Sequence, residues 1–124
     1  MCTQFAYTRS VKAVFVELPA FERYRKEYLD DAAFRRLQAD LMANPVAGDI
    51  ITGTGGLRKL RFSDVRRGKG KRGGLRVIYY WWIEGRQFWL FTVYSKDELD
   101  DLTPNQCRNL KAMIKGELAA RRKS

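Results

Sequence analysis

The spacing of apolar residues changes several times along the chain, and each change marks an element. Residues 11–18, VKAVFVEL, are dense in β-branched and aromatic side chains and predict a first strand. Pro19 suits the first turn of a helix. Phe21, Tyr24 and Tyr28 follow at i, i+3 and i+7 among Arg23, Arg25, Lys26 and Glu27, which predicts a short amphipathic helix. Asp30 or Asp31 caps a second helix with Phe34, Leu37 and Leu41 as its apolar stripe, and Asn44-Pro45 stops it. The stretch GDIITGTGG, residues 48–56, carries four glycines and reads as a loop. LRKLRF, Leu57 to Phe62, alternates and predicts a strand. A long basic, glycine-rich loop occupies residues 63–74. LRVIYYWWI, Leu75 to Ile83, predicts a strand buried over much of both faces. Glu84-Gly85-Arg86 is a tight turn, and QFWLFTVY, Gln87 to Tyr94, pairs back as a hairpin. Thr103-Pro104-Asn105-Gln106 has the form of a capping box with proline at the first helical position. Cys107, Leu110, Ile114 and Leu118 then mark the core face of a last helix.

The predicted order is β-α-α-β-β-β-α, an α+β domain with a twisted, mainly antiparallel four-stranded sheet and helices packed on it. At 124 residues the chain supports one hydrophobic core. Residues 11–124 form the expected domain, and residues 1–10, which show no periodicity, a loosely ordered extension. The longest apolar run, VIYYWWI, falls short of the ~18 residues that cross a membrane. MCTQFAYTRS lacks the basic and apolar regions of a secretory signal. The expectation is a soluble cytoplasmic protein with no membrane partner.

Charge changes this picture more than composition does. The chain has 24 basic and 14 acidic side chains, a formal charge of +10, which attracts polyanions and makes nucleic acid the leading candidate partner. Between Arg58 and Arg76 stand Arg58, Lys59, Arg61, Arg66, Arg67, Lys69, Lys71, Arg72 and Arg76 against the single acid Asp64, nine minus one or +8. A charge focused on one region is a footprint for phosphates rather than a solubilising coat. There is no histidine, which removes the commonest general base and zinc ligand, so acid–base chemistry falls to Glu, Asp, Tyr, Lys or the substrate. Cys2 and Cys107 are the only cysteines; they form no CxxC, and Cys107 reads as core.

GKGKRGG, residues 68–74, satisfies G-x-G-x-x-G, but a dinucleotide loop needs a strand before its glycines and a helix after them. Here the most strand-like segment follows them. No nucleotide cofactor and no metal are expected, and the glycines let a crowded basic loop approach a ligand backbone.

Side chains two apart on a strand share a face. Lys59 and Arg61 therefore lie opposite Leu60 and Phe62. Arg76 shares a face with Ile78, Tyr80 and Trp82, and Thr92 with Tyr94, with Lys96 at the same parity if the strand continues. Register is not readable from the sequence. If the polar faces coincide, Lys59, Arg61, Arg76, Tyr94 and Lys96 converge; otherwise they are ordinary solvent-facing positions. The aromatics Tyr79, Tyr80, Trp81, Trp82, Phe88, Trp89 and Phe91 serve either packing or base stacking, and so small a domain needs most of them for packing.

GTGGLRKLRF, GKGKRGGLRVIYY and VYSKDELDDLT together resemble the HigB-like branch of the RelE/ParE toxin superfamily, over roughly residues 11–120. The resemblance implies a RelE-like fold and the toxin of a type II toxin–antitoxin pair. The implied activity is a ribosome-dependent mRNA endoribonuclease that cuts A-site codons, using the ribose 2′-hydroxyl as nucleophile. Ribosome, messenger RNA and a cognate antitoxin are the implied partners. By motif, Lys59 and Arg61 match the family's Lys-x-Lys/Arg pair, with Lys59 a candidate proton-transfer group, and Arg76 matches the strand arginine that stabilises the scissile phosphate. Arg58, Arg66, Arg67, Lys69, Lys71 and Arg72 fall to RNA or ribosome contact. Where the family has an arginine after the last strand this chain has Asp97, and Tyr94 and Lys96 stand in for the missing pair. The competing readings are a non-catalytic ParE-like gyrase inhibitor and a simple RNA-binding module.

Overall fold

The structure is a computed structural model that describes residues 13–64, 68, 70, 74–96 and 102–122, with the backbone alone at 122. The expected extension at residues 1–10 lies outside the described residues, as do Arg66, Arg67, Lys69, Lys71, Arg72 and Asp97.

The elements in chain order are β1 (Val14–Glu17), α1 (Pro19–Tyr28), α2 (Asp31–Ala43), β2 (Asp49–Ile50), β3 (Arg58–Phe62), β4 (Leu75–Trp82), β5 (Gln87–Ser95) and α3 (Pro104–Arg122). Local chemistry sets the helix ends. Pro19 opens α1 where its missing N–H has no intrahelical partner to lose. The Asp30 carboxylate accepts the Ala33 N–H at 2.8 Å and caps α2. Thr103 and Gln106 satisfy each other's backbone N–H groups at 3.1 and 2.8 Å, which completes the capping box of α3.

The sheet order is β1-β5-β4-β3-β2, with β1 parallel to β5 and every other pair antiparallel. The α+β class and the mainly antiparallel sheet stand as expected, but the sheet has five strands rather than four. The extra strand comes from the stretch read as a glycine loop. Three contacts draw it onto β3. The Tyr79 hydroxyl accepts the Gly48 N–H at 3.0 Å and donates to Pro45 O at 2.8 Å. The Arg58 guanidinium donates to Gly48 O at 2.7 Å. Burial pushes the Tyr79 phenol above its ordinary pKa and so keeps its proton available for Pro45. A Cβ at position 48 would stand 2.9 Å from the Tyr79 ring and 3.0 Å from the Lys59 carbonyl, so glycine is what lets the two segments close.

Each face of the sheet carries its own apolar cluster. Phe62, Leu75, Val77, Tyr79, Phe88, Leu90 and Val93 meet Phe21 and Tyr28 of α1 and Leu37 and Leu41 of α2. On the reverse face, Ile78, Trp89, Phe91 and Tyr94 meet Leu57 and Ile114, with Leu110 and Leu118 of α3 packed alongside. The pairing steps from Ile78↔Thr92 to Tyr79↔Leu90, so Phe91 is an extra residue in β5. This bulge changes which residues share a face. It lets Thr92 and Tyr94 lie on the same side as Trp89, which plain alternation forbids.

Two smaller expectations change. β4 ends at Trp82, and Ile83 stands 67% exposed in the turn that Arg86 closes at a φ of 51°. Cys107 is half-buried rather than core. Of the aromatics, Tyr79, Phe88, Trp89 and Phe91 are buried, as packing requires, while Tyr80, Trp81 and Trp82 are half-buried. No helix among the described residues is long and apolar enough to cross a membrane.

Candidate functional site

Residues directly opposite in an antiparallel ladder project from the same face, with Cβ atoms about 4.5–5.5 Å apart. Arg61 is opposite Arg76, and Arg76 is opposite Tyr94. These three form one row across β3, β4 and β5. One step along, Asp49, Lys59, Ile78 and Thr92 form a second row across β2 to β5. Both rows lie on the face that bears α3, because Ile78 and Tyr94 belong to its cluster. The structure thus brings Lys59, Arg61, Arg76 and Tyr94 together. The strand itself stops at Ser95, but the Lys96 N–H donates to Gly74 O at 3.1 Å, carrying the ladder one step further and setting Lys96 beside the end of the first row.

The members differ in exposure. Arg76 is 4% and Tyr94 8% exposed, whereas Lys59 is half-buried and Arg61 exposed. Two like charges opposite one another destabilise a sheet. Taking a guanidinium out of water adds a further cost of several kcal/mol unless partners offset it. The Arg76 Nη1 donates to Leu75 O at 3.2 Å. Arg76 has partners besides this carbonyl, and Arg61 stands directly opposite it, so two guanidinium groups share one face of the sheet. The fixed charge of Arg76 also acts through a medium less polar than water, which strengthens its pull on an anion. Open hollows flank the row. One of about 290 Å³ is lined by Ala47, Asp49, Lys59, Leu60 and Arg61, and one of about 280 Å³ by Tyr24, Tyr28, Thr92, Val93, Tyr94, Leu102 and Gln106.

Arg58, assigned to RNA contact from the sequence, does not join this group. It is opposite Tyr79, on the other face, and its guanidinium is engaged by Gly48 O and, at 3.4 Å, by Val46 O. These bonds tie the segment just before β2 to β3. Asp49, which the sequence places in a loop, stands opposite Lys59 in the second row, a juxtaposition that only the pairing of β2 with β3 creates.

The last glycine of GKGKRGG has a physical reason of its own. A Cβ at Gly74 would lie 2.5 Å from Phe62 O, 2.6 Å from Gly70 O and 2.9 Å from the Asp64 N, all of them backbone atoms that yield only if the chain moves. Gly74→Ala is expected to lower stability by about 1–3 kcal/mol, by overpacking beside the Phe62↔Leu75 pair. A urea titration that finds no shift in midpoint would show the close approach to be dispensable.

No family model matches the sequence. Among solved structures the chain is similar to the E. coli toxin RelE, determined in the free state as a mutant with two arginines changed to alanine. The identity is 15%, over 71% of this chain and 87% of that one, with a TM-score of 0.46.

Proposed function

We propose that this chain is a ribosome-dependent mRNA endoribonuclease, the toxin of a type II toxin–antitoxin pair with a RelE-like fold. One observation carries the reading: the register that sets Arg61 opposite Arg76 and Arg76 opposite Tyr94, with Lys59 on the same face. The motifs GTGGLRKLRF and GKGKRGGLRVIYY support it through their resemblance to HigB-like toxins.

The proposed substrate is a messenger codon held so that the ribose 2′-oxygen lies in line with the adjacent phosphate. Attack leaves a cyclic phosphate and a 5′-hydroxyl. Lys59 and Arg61, the more exposed members, meet the phosphate first. Arg76, fixed beneath them, neutralises the charge that grows on its oxygens as the transition state forms. Holding nucleophile and phosphate in one geometry supplies much of the remaining acceleration. Tyr94 and Lys96 border the far side of the site. Arg66, Arg67, Lys69, Lys71 and Arg72 grip RNA backbone, and a cognate antitoxin neutralises the toxin by covering the basic surface.

Induced expression tests this reading. Translation should halt, and 5′ ends mapped on messengers should fall within codons and only when ribosomes are present. Intact messengers with DNA damage would instead indicate a gyrase inhibitor. Salt-dependent RNA binding without any cut would indicate a binding module.

A further inference from the structure

Strands β2 to β5 carry four basic residues, Arg58, Lys59, Arg61 and Arg76, and a single acid, Asp49. That acid is not remote from the bases. It is directly opposite Lys59 in the ladder, shares its face, and lines the same hollow of about 290 Å³ with Lys59 and Arg61. Asp49 is exposed, so a ligand in the hollow meets its carboxylate. The backbone just before it is held from both sides, by the Tyr79 hydroxyl on the Gly48 N–H and by the Arg58 guanidinium on the Gly48 carbonyl. No side chain longer than hydrogen fits at Gly48 without disturbing Tyr79 or Lys59. Asp49 therefore stands on a rigid support, as a group that must meet a reacting atom should. A carboxylate beside Lys59 and Arg61 opposes the binding of a polyanion in that hollow. Its position beside the hollow calls for a chemical role.

We propose that Asp49 accepts the proton of the attacking hydroxyl and that Lys59 supplies the proton of the leaving group, an assignment that rests on the nuclease reading above. The 2′-oxygen bonds to phosphorus as its proton passes to the Asp49 carboxylate. The bond from phosphorus to the 5′-oxygen breaks, its electron pair stays on that oxygen, and the oxygen takes a proton from the Lys59 ammonium. A cyclic phosphate and a 5′-hydroxyl leave. Asp49, now protonated, returns its proton to the neutral Lys59 across the ladder, and both groups regain their starting forms. Lysine and aspartate carry out the acid–base work that a histidine would do in a chain that had one.

The test is single-turnover cleavage of a defined messenger on programmed ribosomes, followed from acid to neutral pH. Wild type is compared with Asp49→Asn, Asp49→Glu and Arg76→Ala, and RNA binding is measured separately by filter retention. Asp49→Asn should slow cleavage by about 100-fold and flatten the fall in rate at acid pH. Its RNA binding should be equal or tighter, because a negative charge has gone. Asp49→Glu should recover part of the rate with the acid limb restored. Cleavage by Asp49→Asn at the wild-type rate or faster overturns the assignment alone, leaving the nuclease reading to stand on Arg76→Ala. A slow Asp49→Asn that keeps the wild-type pH profile, or loses RNA binding to the same degree, also overturns it. If the wild type itself makes no cut, the nuclease reading falls and this assignment falls with it.

Discussion

Arg76→Ala is expected to abolish growth arrest and to lower messenger cleavage by about 100- to 1,000-fold. That is the loss seen when one preorganised donor is taken from a centre of developing negative charge. The size follows from where the side chain sits. It is 4% exposed, in the middle strand of three, with Arg61 on one side and Tyr94 on the other. A charge so placed does not reorganise when the reaction begins. Arg76→Lys keeps the charge but loses the planar fork that fits two phosphate oxygens, so its rate should fall between wild type and alanine. Stability moves in both directions at once. Alanine relieves the like-charge opposition to Arg61, but leaves Leu75 O without the donor at 3.2 Å and removes the guanidinium's other contacts. A thermal melt run beside the cleavage assay separates fold from chemistry. A folded Arg76→Ala protein that still cuts at the wild-type rate would end the case for this row as a nuclease centre.

Trp89→Ala is expected to cost about 3–5 kcal/mol, the usual range for truncating a large aromatic in a core. Trp89 is wholly buried, and its ring lies 5.3 Å from Tyr80 and 5.5 Å from Trp82 between ring centres. The Arg121 guanidinium sits 4.8 Å above it, joining the end of α3 to the sheet. Its indole N–H donates to the Gln87 side chain at 2.9 Å. Removing the ring leaves a cavity between β5 and α3, flanked by Tyr80 and Trp82. Small domains are stable by only about 5–15 kcal/mol, so a loss of this size brings the protein close to unfolding. Urea unfolding should show the midpoint falling steeply. Trp89→Phe keeps most of the volume and should lose much less. A midpoint for Trp89→Ala near that of wild type would mean that α3 does not depend on this cluster.

Parts of the molecule differ in how legible they are in the order of residues. Helix ends were legible because their chemistry is local. Asp30 reaches Ala33, and Thr103 and Gln106 reach each other, across three residues, so a cap is written in the sequence around it. Strand faces were legible for a similar reason: alternation placed Arg76 with Ile78 and Lys59 with Arg61 before any partner strand was known. The hydrogen-bond partner of Arg58 was not legible, because the same alternation left it open. Its partner, Gly48 O, comes ten residues earlier and reaches it only once the loop has folded back.

The amino-acid order alone determined the α+β class, the helices and their caps, the faces of the long strands and the concentration of positive charge between Arg58 and Arg76. Each of these depends on neighbours a few residues apart, or on a sum over them. The tertiary structure alone decided that β2 exists and that Phe91 bulges. It also decided that Asp49 stands opposite Lys59, and that Arg61, Arg76 and Tyr94 share one row. Register depends on how two buried faces pack against three helices at once, and slipping one strand by a single residue would turn its side chains to the wrong side.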